Sequence, residues 1–140
     1  MIRVVAPADA FALIEKEGYR YLDVRTVEEF AAGHPEGAVN IPIVHAGMVP
    51  NHEFLEVAQT VFAVDEKIVL GCRSGVRSMR AAEVLASAGY ANVCNMDGGF
   101  HGRFDPMGSV VQAGWLSEGL PVSNEVKHGT SYDALRSKRA

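Results

Sequence analysis

At 140 residues with 48% hydrophobic and 21% charged side chains, the chain has the size and balance of one globular domain with a core of its own, not those of a disordered or fibrous protein. A formal charge of −4 and a pI near 5.7 exclude a general affinity for nucleic acid or an anionic membrane surface, both of which require basic patches. The two cysteines, Cys72 and Cys94, are too few for a disulfide scaffold and too far apart for a zinc or dithiol motif.

A reducing compartment is therefore expected. The residues before Asp9 carry no signal-peptide-like apolar run, and no stretch of about 20 apolar residues offers a membrane span, so a soluble cytoplasmic protein is the expectation.

In chain order, Pro7 to Glu17 places Ala10, Phe11, Leu13 and Ile14 at helical spacing, with Pro7 in the first turn and Gly18 at the C-cap. Tyr19 to Val24 reads as a short buried strand. Thr26 with Glu29 forms a capping box for a helix through Ala32. A turn over residues 33–37 leads to a strand at Ala38–Ile41, which Pro42 ends or confines to a sheet edge. Asn51 is expected to cap a helix through about Phe62. Lys67 to Gly71 is a further strand, Cys72 to Gly75 a loop, and Val76 to Ala88 an alanine-rich helix closed by Gly89. Ala91 to Met96 supplies another strand.

Strands alternating with helices predict an α/β fold, a mostly parallel sheet with helices on both faces. In such folds ligands bind at the C-terminal ends of strands, and the Cys72 loop lies at one, just before a helix N-terminus. The same stretch is a local exception to the acidic charge. Lys67, Arg73, Arg77 and Arg80 occur there with no Asp or Glu between Lys67 and Glu83.

A thiolate, not a thiol, is the nucleophilic form of cysteine, and a free thiol is mostly protonated at neutral pH. The loop amides, the opening of the following helix, and Arg73 and Arg77 all favour negative charge at Cys72. Gly75 permits a backbone angle that lets neighbouring peptides turn inward as an anion cradle, and Ser74 adds a hydroxyl donor. An inert buried cysteine in a strand-to-helix connection is the plain alternative, and it would not call for this glycine, these arginines and a helix start together.

The chain resembles the rhodanese family in Leu22-Asp23-Val24-Arg25, in residues 33–42 (GHPEGAVNIP), in Cys72-Arg73-Ser74-Gly75-Val76-Arg77-Ser78 and in Gly98-Gly99, taken in order over roughly residues 3–122. The resemblance is closest to small single-domain members. It implies a three-layer rhodanese-like α/β fold and a thiosulfate sulfurtransferase. Cys72 would be the nucleophile and persulfide carrier, and Arg73, Ser74, Gly75, Val76 and Arg77 the substrate cradle. Thiosulfate would donate the sulfur, and cyanide, a thiol or an acceptor protein would take it. No external cofactor is implied.

The six residues from Cys72 through Arg77 look like the sulfurtransferase loop, whereas phosphatase relatives carry a longer one. Ser78 stands where a C-x5-R phosphatase motif needs arginine. Basic loops resemble thiosulfate users, which Arg73 and Arg77 favour. Arg77 has two readings, a substrate contact or a partner of Asp23 or Glu29 that holds the loop in shape. Asp23 and Arg25 are read as structural support. His34 lies in the turn and is not taken as a general base. The five histidines lack ligand spacing, so no metal is expected, and Cys94 is expected to be inert core.

The chain departs from small relatives after the double glycine. Fifteen residues, Phe100 to Gly114, separate Gly99 from Trp115. They are read as a surface insertion within a domain over residues 1–123, or as a lid or docking surface over the Cys72 loop. The polar tail over residues 124–140 is expected to be disordered, with a short docked helix as the alternative. The sequence also admits two other functions, a persulfide relay module serving a partner protein and a phosphatase or arsenate-reducing relative.

Overall fold

The structure is a computed structural model, described here over residues 2–137. Strand β1 (Arg3–Val5) leads into helix α1 (Pro7–Glu17), which begins on its proline and ends where Gly18 takes the left-handed conformation. Strand β2 (Arg20–Asp23) is followed by α2 (Val27–Ala32), whose capping box between Thr26 and Glu29 is complete in both directions. Short strands β3 (His34–Pro35), β4 (Val39–Asn40), β5 (Val44–His45) and β6 (Val49–Pro50) precede α3 (Phe54–Val61). Then come β7 (Ile68–Gly71), α4 (Val76–Ser87), β8 (Val93–Met96), β9 (Arg103–Phe104), β10 (Val110–Gln112), β11 (Val122–Ser123) and α5 (Tyr132–Ser137).

Five strands form one parallel sheet in the order β1-β8-β7-β2-β4. Side chains alternate across it, because successive residues of a strand point to opposite faces. Leu22, Ile68 and Leu70 join Phe54, Val57, Ala81, Leu85, Tyr132 and Leu135 in one core. Tyr21, Val69, Cys94 and Met96 join Ala10, Leu13, Phe30 and Trp115 in the other. Helices α3, α4 and α5 thus cover one face and α1 and α2 the other, the expected three layers. Strand β7 is central, so the residue after Gly71 emerges between two apolar layers and not at an edge.

Three details differ from the expectations. Strand β1 is additional to the elements expected from the sequence. Helix α3 starts at Phe54, because the Asn51 carboxamide oxygen accepts from the Glu53 N–H and makes a turn before the helix. In the tail, disorder gives way to the docked-helix alternative over Tyr132–Ser137. Tyr132, Ala134 and Leu135 are buried there, the Tyr132 hydroxyl accepts from Asn51 Nδ2 at 3.0 Å, and Arg136 pairs with Glu53 at 2.9 Å. Two large apolar residues three apart were enough to anchor a turn and a half of helix. Residues 138–140 of the tail lie outside the described residues.

Residues 100–114 are built on a hairpin, β9 with β10, whose turn is held by Asp105 accepting from the Met107 and Ser109 N–H groups. Its base is closed by the Trp115 N–H on Gly99 O and the Leu116 N–H on Phe100 O. Trp115 is buried against Phe11 and Tyr21, with its indole N–H on Pro121 O at 2.8 Å.

Candidate active site

Cys72 follows the last residue of β7, and α4 opens four residues later at Val76. The four loop carbonyls are all held by groups from β8 and the segment after it. Phe100 N–H donates to Cys72 O at 2.8 Å, His101 N–H to Arg73 O at 3.0 Å, Gly98 N–H to Ser74 O at 3.1 Å, and Asn95 Nδ2 to Gly75 O at 3.0 Å. In a planar trans peptide the C=O and the next N–H point opposite ways. Fixing the carbonyls outward therefore turns the amides inward. Gly75 N–H shows which way that is, since it donates to Cys72 Sγ at 3.1 Å.

Two glycines make this arrangement affordable in space. Gly75 has φ 116, a region that L side chains avoid. A Cβ on Gly99 would lie 2.5 Å from Cys72 O and 2.6 Å from the Arg73 carbonyl carbon, so only glycine lets the two backbones approach. No acidic residue occupies the first turn of α4, which leaves its positive end facing the loop.

A second group reaches the sulfur from beneath. Ser78 Oγ lies 3.4 Å from Cys72 Sγ and also bonds Asn95 Oδ1, both residues being buried. The hydroxyl has one hydrogen and serves one acceptor at a time. It can accept from a thiol while donating to Asn95, or turn its proton toward a thiolate.

The charged residues separate into tied and available. Asp23 and Arg25, 1% and 2% exposed, form a buried pair at 2.7 Å, and Arg25 also donates to Gly33 O at 2.7 Å. Burial opposes the Arg25 charge, but hydrogen bonding and attraction from Asp23 prevail and raise its pKa. Asn40 Nδ2 donates to the carbonyls of Asp23 and Arg25, so the end of β2 is fixed on both sides. Arg77 forks Glu29 through two bonds of 2.7 and 3.0 Å. Burial works against the Glu29 charge, yet the Arg77 bonds, the Thr26 N–H and the nearby guanidinium charges bring its pKa down to about 2. Of the two readings of Arg77, the pairing with Glu29 is the one seen.

Arg73, by contrast, is exposed and has no ion pair among the described residues. It lines a cleft of about 430 Å³ beside the loop, with Arg25, Glu29, Phe100, His101 and Leu116 also in its wall. His34 is buried, stacked on Phe30 at 3.7 Å, with Nδ1 2.7 Å from Phe30 O. It has no access to the cleft. Cys94 is buried in the sheet, and burial pushes its thiol up to about 11.

The sequence pattern singles out Cys72 and its loop but assigns no role to Ser78, Asn95 or His101. A polar residue inside the buried run Val93-Cys94-Asn95-Met96 was the available signal for Asn95.

A parallel α/β sheet carries a cysteine at the C-terminal end of its central strand, wrapped by inward amides that favour negative charge on its sulfur. The rhodanese-like domain model matches residues 6–103, and the chain belongs to that family. The chain is 39% identical over 108 residues to thiosulfate sulfurtransferase 16, chloroplastic, of Arabidopsis thaliana, covering 75% of this chain and 80% of that one. It is 44% identical over 91 residues to protein HIGH ARSENIC CONTENT 1, mitochondrial, of the same plant, covering 63% of this chain and 54% of that one. Among solved structures, Rv0390 from M. tuberculosis superposes with a TM-score of 0.73 at 28% identity, over 87% of this chain and 97% of that one. Among the described residues no helix is long and apolar enough to cross a membrane.

Proposed function

We propose that the chain is a thiosulfate sulfurtransferase that moves sulfane sulfur through a persulfide on Cys72 to cyanide or a thiol. The observation that carries this reading is the held loop, with its four carbonyls fixed outward and the Gly75 N–H on Cys72 Sγ at 3.1 Å. The Cys72 thiolate attacks the outer sulfur of thiosulfate. The S–S bond of thiosulfate breaks with its electron pair on sulfite, and a persulfide remains on Cys72. An acceptor then attacks the outer sulfur, and Cys72 leaves as thiolate. The persulfide's terminal sulfur is an anion of the size the cradle can surround, and the amides of Arg73, Ser74, Gly75 and Val76, turned inward by the fixed carbonyls, supply donors for it.

Arg73 is the free charge at the mouth and attracts the dianionic donor, while Arg77 acts through Glu29 to fix the start of α4. The loop of six residues favours sulfur chemistry over phosphate chemistry. Two unpaired cysteines, both buried, suit a reducing compartment such as the cytoplasm.

The test is intact mass before and after thiosulfate for the wild type and Cys72→Ser, with sulfite followed in parallel. The expected result is a gain of one sulfur atom and stoichiometric sulfite, both abolished by the substitution. No gain in folded wild type refutes the thiosulfate reading; loading from a partner persulfide instead would make the chain a relay module. Turnover of arsenate or an aryl phosphate would mark it as the other kind of relative.

A further inference from the structure

The cleft beside the loop is much larger than thiosulfate or cyanide requires, and its wall contains few groups that can handle a proton. Its titratable members among the described residues are Arg25, Glu29, Arg73 and His101. Guanidinium groups do not deprotonate in proteins. Glu29 has both oxygens committed, to the Thr26 N–H and hydroxyl and to the Arg77 fork. His101 alone has a ring that is exposed and free to accept.

Its position is fixed relative to the nucleophile. The His101 N–H donates to the carbonyl of Arg73, the residue after Cys72. Its ring stands edge-on to Phe100 at 5.2 Å, and the Phe100 ring face in turn covers the Arg25 guanidinium at 4.5 Å. The imidazole is thus held on the wall of the cleft next to Arg73, the residue that follows Cys72.

Resting on the sulfurtransfer reading, we propose that His101 is the general base of the second half-reaction, taking the proton from an incoming thiol. A thiol must ionise before it attacks. The His101 ring nitrogen accepts the S–H proton, and the thiolate sulfur forms a bond to the outer sulfur of the Cys72 persulfide. The S–S bond to Cys72 breaks with its electron pair on Sγ. The acceptor leaves as a persulfide, its sulfur now carrying the transferred atom, and the proton on His101 passes to that product or to water. No outside oxidant or reductant is needed, because the sulfane sulfur is exchanged between two thiolates.

The charges facing His101 suit the role. Partial burial and the positive Arg25 and Arg73 lower its pKa, with Glu29 opposing, which favours the neutral imidazole that a base must be.

The test compares wild type and His101→Gln, both loaded with thiosulfate, in single turnover against free cysteine from pH 6 to 9.5. Sulfite release is timed separately. A thiol of pKa about 8.5 is roughly 3% ionised at pH 7, so a base can gain at most about 30-fold there. The expected result is a drop in transfer of roughly 10- to 30-fold at pH 7, shrinking below about twofold at pH 9.5, where the acceptor ionises unaided. The ratio of transfer to sulfite release falls accordingly. A loss of equal size at both pH values, or one as large in sulfite release, or no loss, overturns the role of His101. A wild type that releases no sulfite overturns the sulfurtransfer reading itself, a result distinct from the other three.

Discussion

Substituting Glu29→Gln separates two jobs that one carboxylate performs. Glutamine also serves in a capping box, so α2 keeps its start. The charge opposite Arg77 is lost, and with it one of the two charge-assisted bonds of the fork. The magnitude follows from the depressed pKa. The fall from 4.5 to about 2 corresponds to roughly 3 kcal/mol at about 1.4 kcal/mol per tenfold change in proton affinity. Glu29 is 30% exposed and Arg77 19%, so solvent screening reduces this, and about 1–2 kcal/mol is expected at pH 7. The sign is set by linkage. A carboxylate whose folded pKa is depressed stabilises the fold fully above its unfolded value near 4.5, and that contribution disappears as pH falls toward about 2. Urea unfolding of wild type and Glu29→Gln should therefore show a gap that is constant from pH 7 to about 5.5 and closes between pH 4.5 and 2. A gap that does not change with pH, or no gap at pH 7, refutes the ion pair as the source of stability.

Ser78→Ala removes the hydroxyl 3.4 Å from Cys72 Sγ, and sulfite release should slow by about 10- to 100-fold, the weight of one hydrogen bond to a charged group; a change within twofold would mean that the loop amides alone hold the charge. Leu135→Ala deletes a residue 3% exposed in the core beneath α5, with an expected loss of about 2–3 kcal/mol in urea unfolding. Stability unchanged by that substitution would show that the tail does not pack in solution.

Elements with a local code were legible in the sequence to within a residue or two. Pro7 and Gly18 bracket α1, and Thr26 with Glu29 starts α2, because caps act within a turn of their own position. Strand β1 has no such code. It has three residues, only Val5 is buried, and it is a strand because Arg3 to Val5 pair with Cys94 to Met96, distant in sequence. The tail failed for a related reason. Its composition is polar, but Tyr132 and Leu135 join the core that Phe54, Val57 and Ala58 of α3 also enter, a partner that composition does not display.

The site divides in the same way. Cys72, Gly75 and the start of α4 are contiguous and could be read as a unit. What holds the loop open could not, because the holding groups are backbone N–H donors from residues 98, 100 and 101 and one carboxamide from Asn95. This also accounts for the long segment after the double glycine. The last bond onto the loop, from His101 N–H to Arg73 O, comes before the first hairpin residue, Arg103. The chain then returns at Trp115 and Leu116 to pair with Gly99 and Phe100, so the base is closed regardless of what lies between. Closure entropy grows slowly with length, and β9 and β10 can extend outward without moving Cys72. A deletion meant to probe the hairpin must accordingly join Gly102 to Ala113. One that begins at Phe100 would release the carbonyls of Cys72 and Arg73 and abolish activity for reasons unrelated to the hairpin.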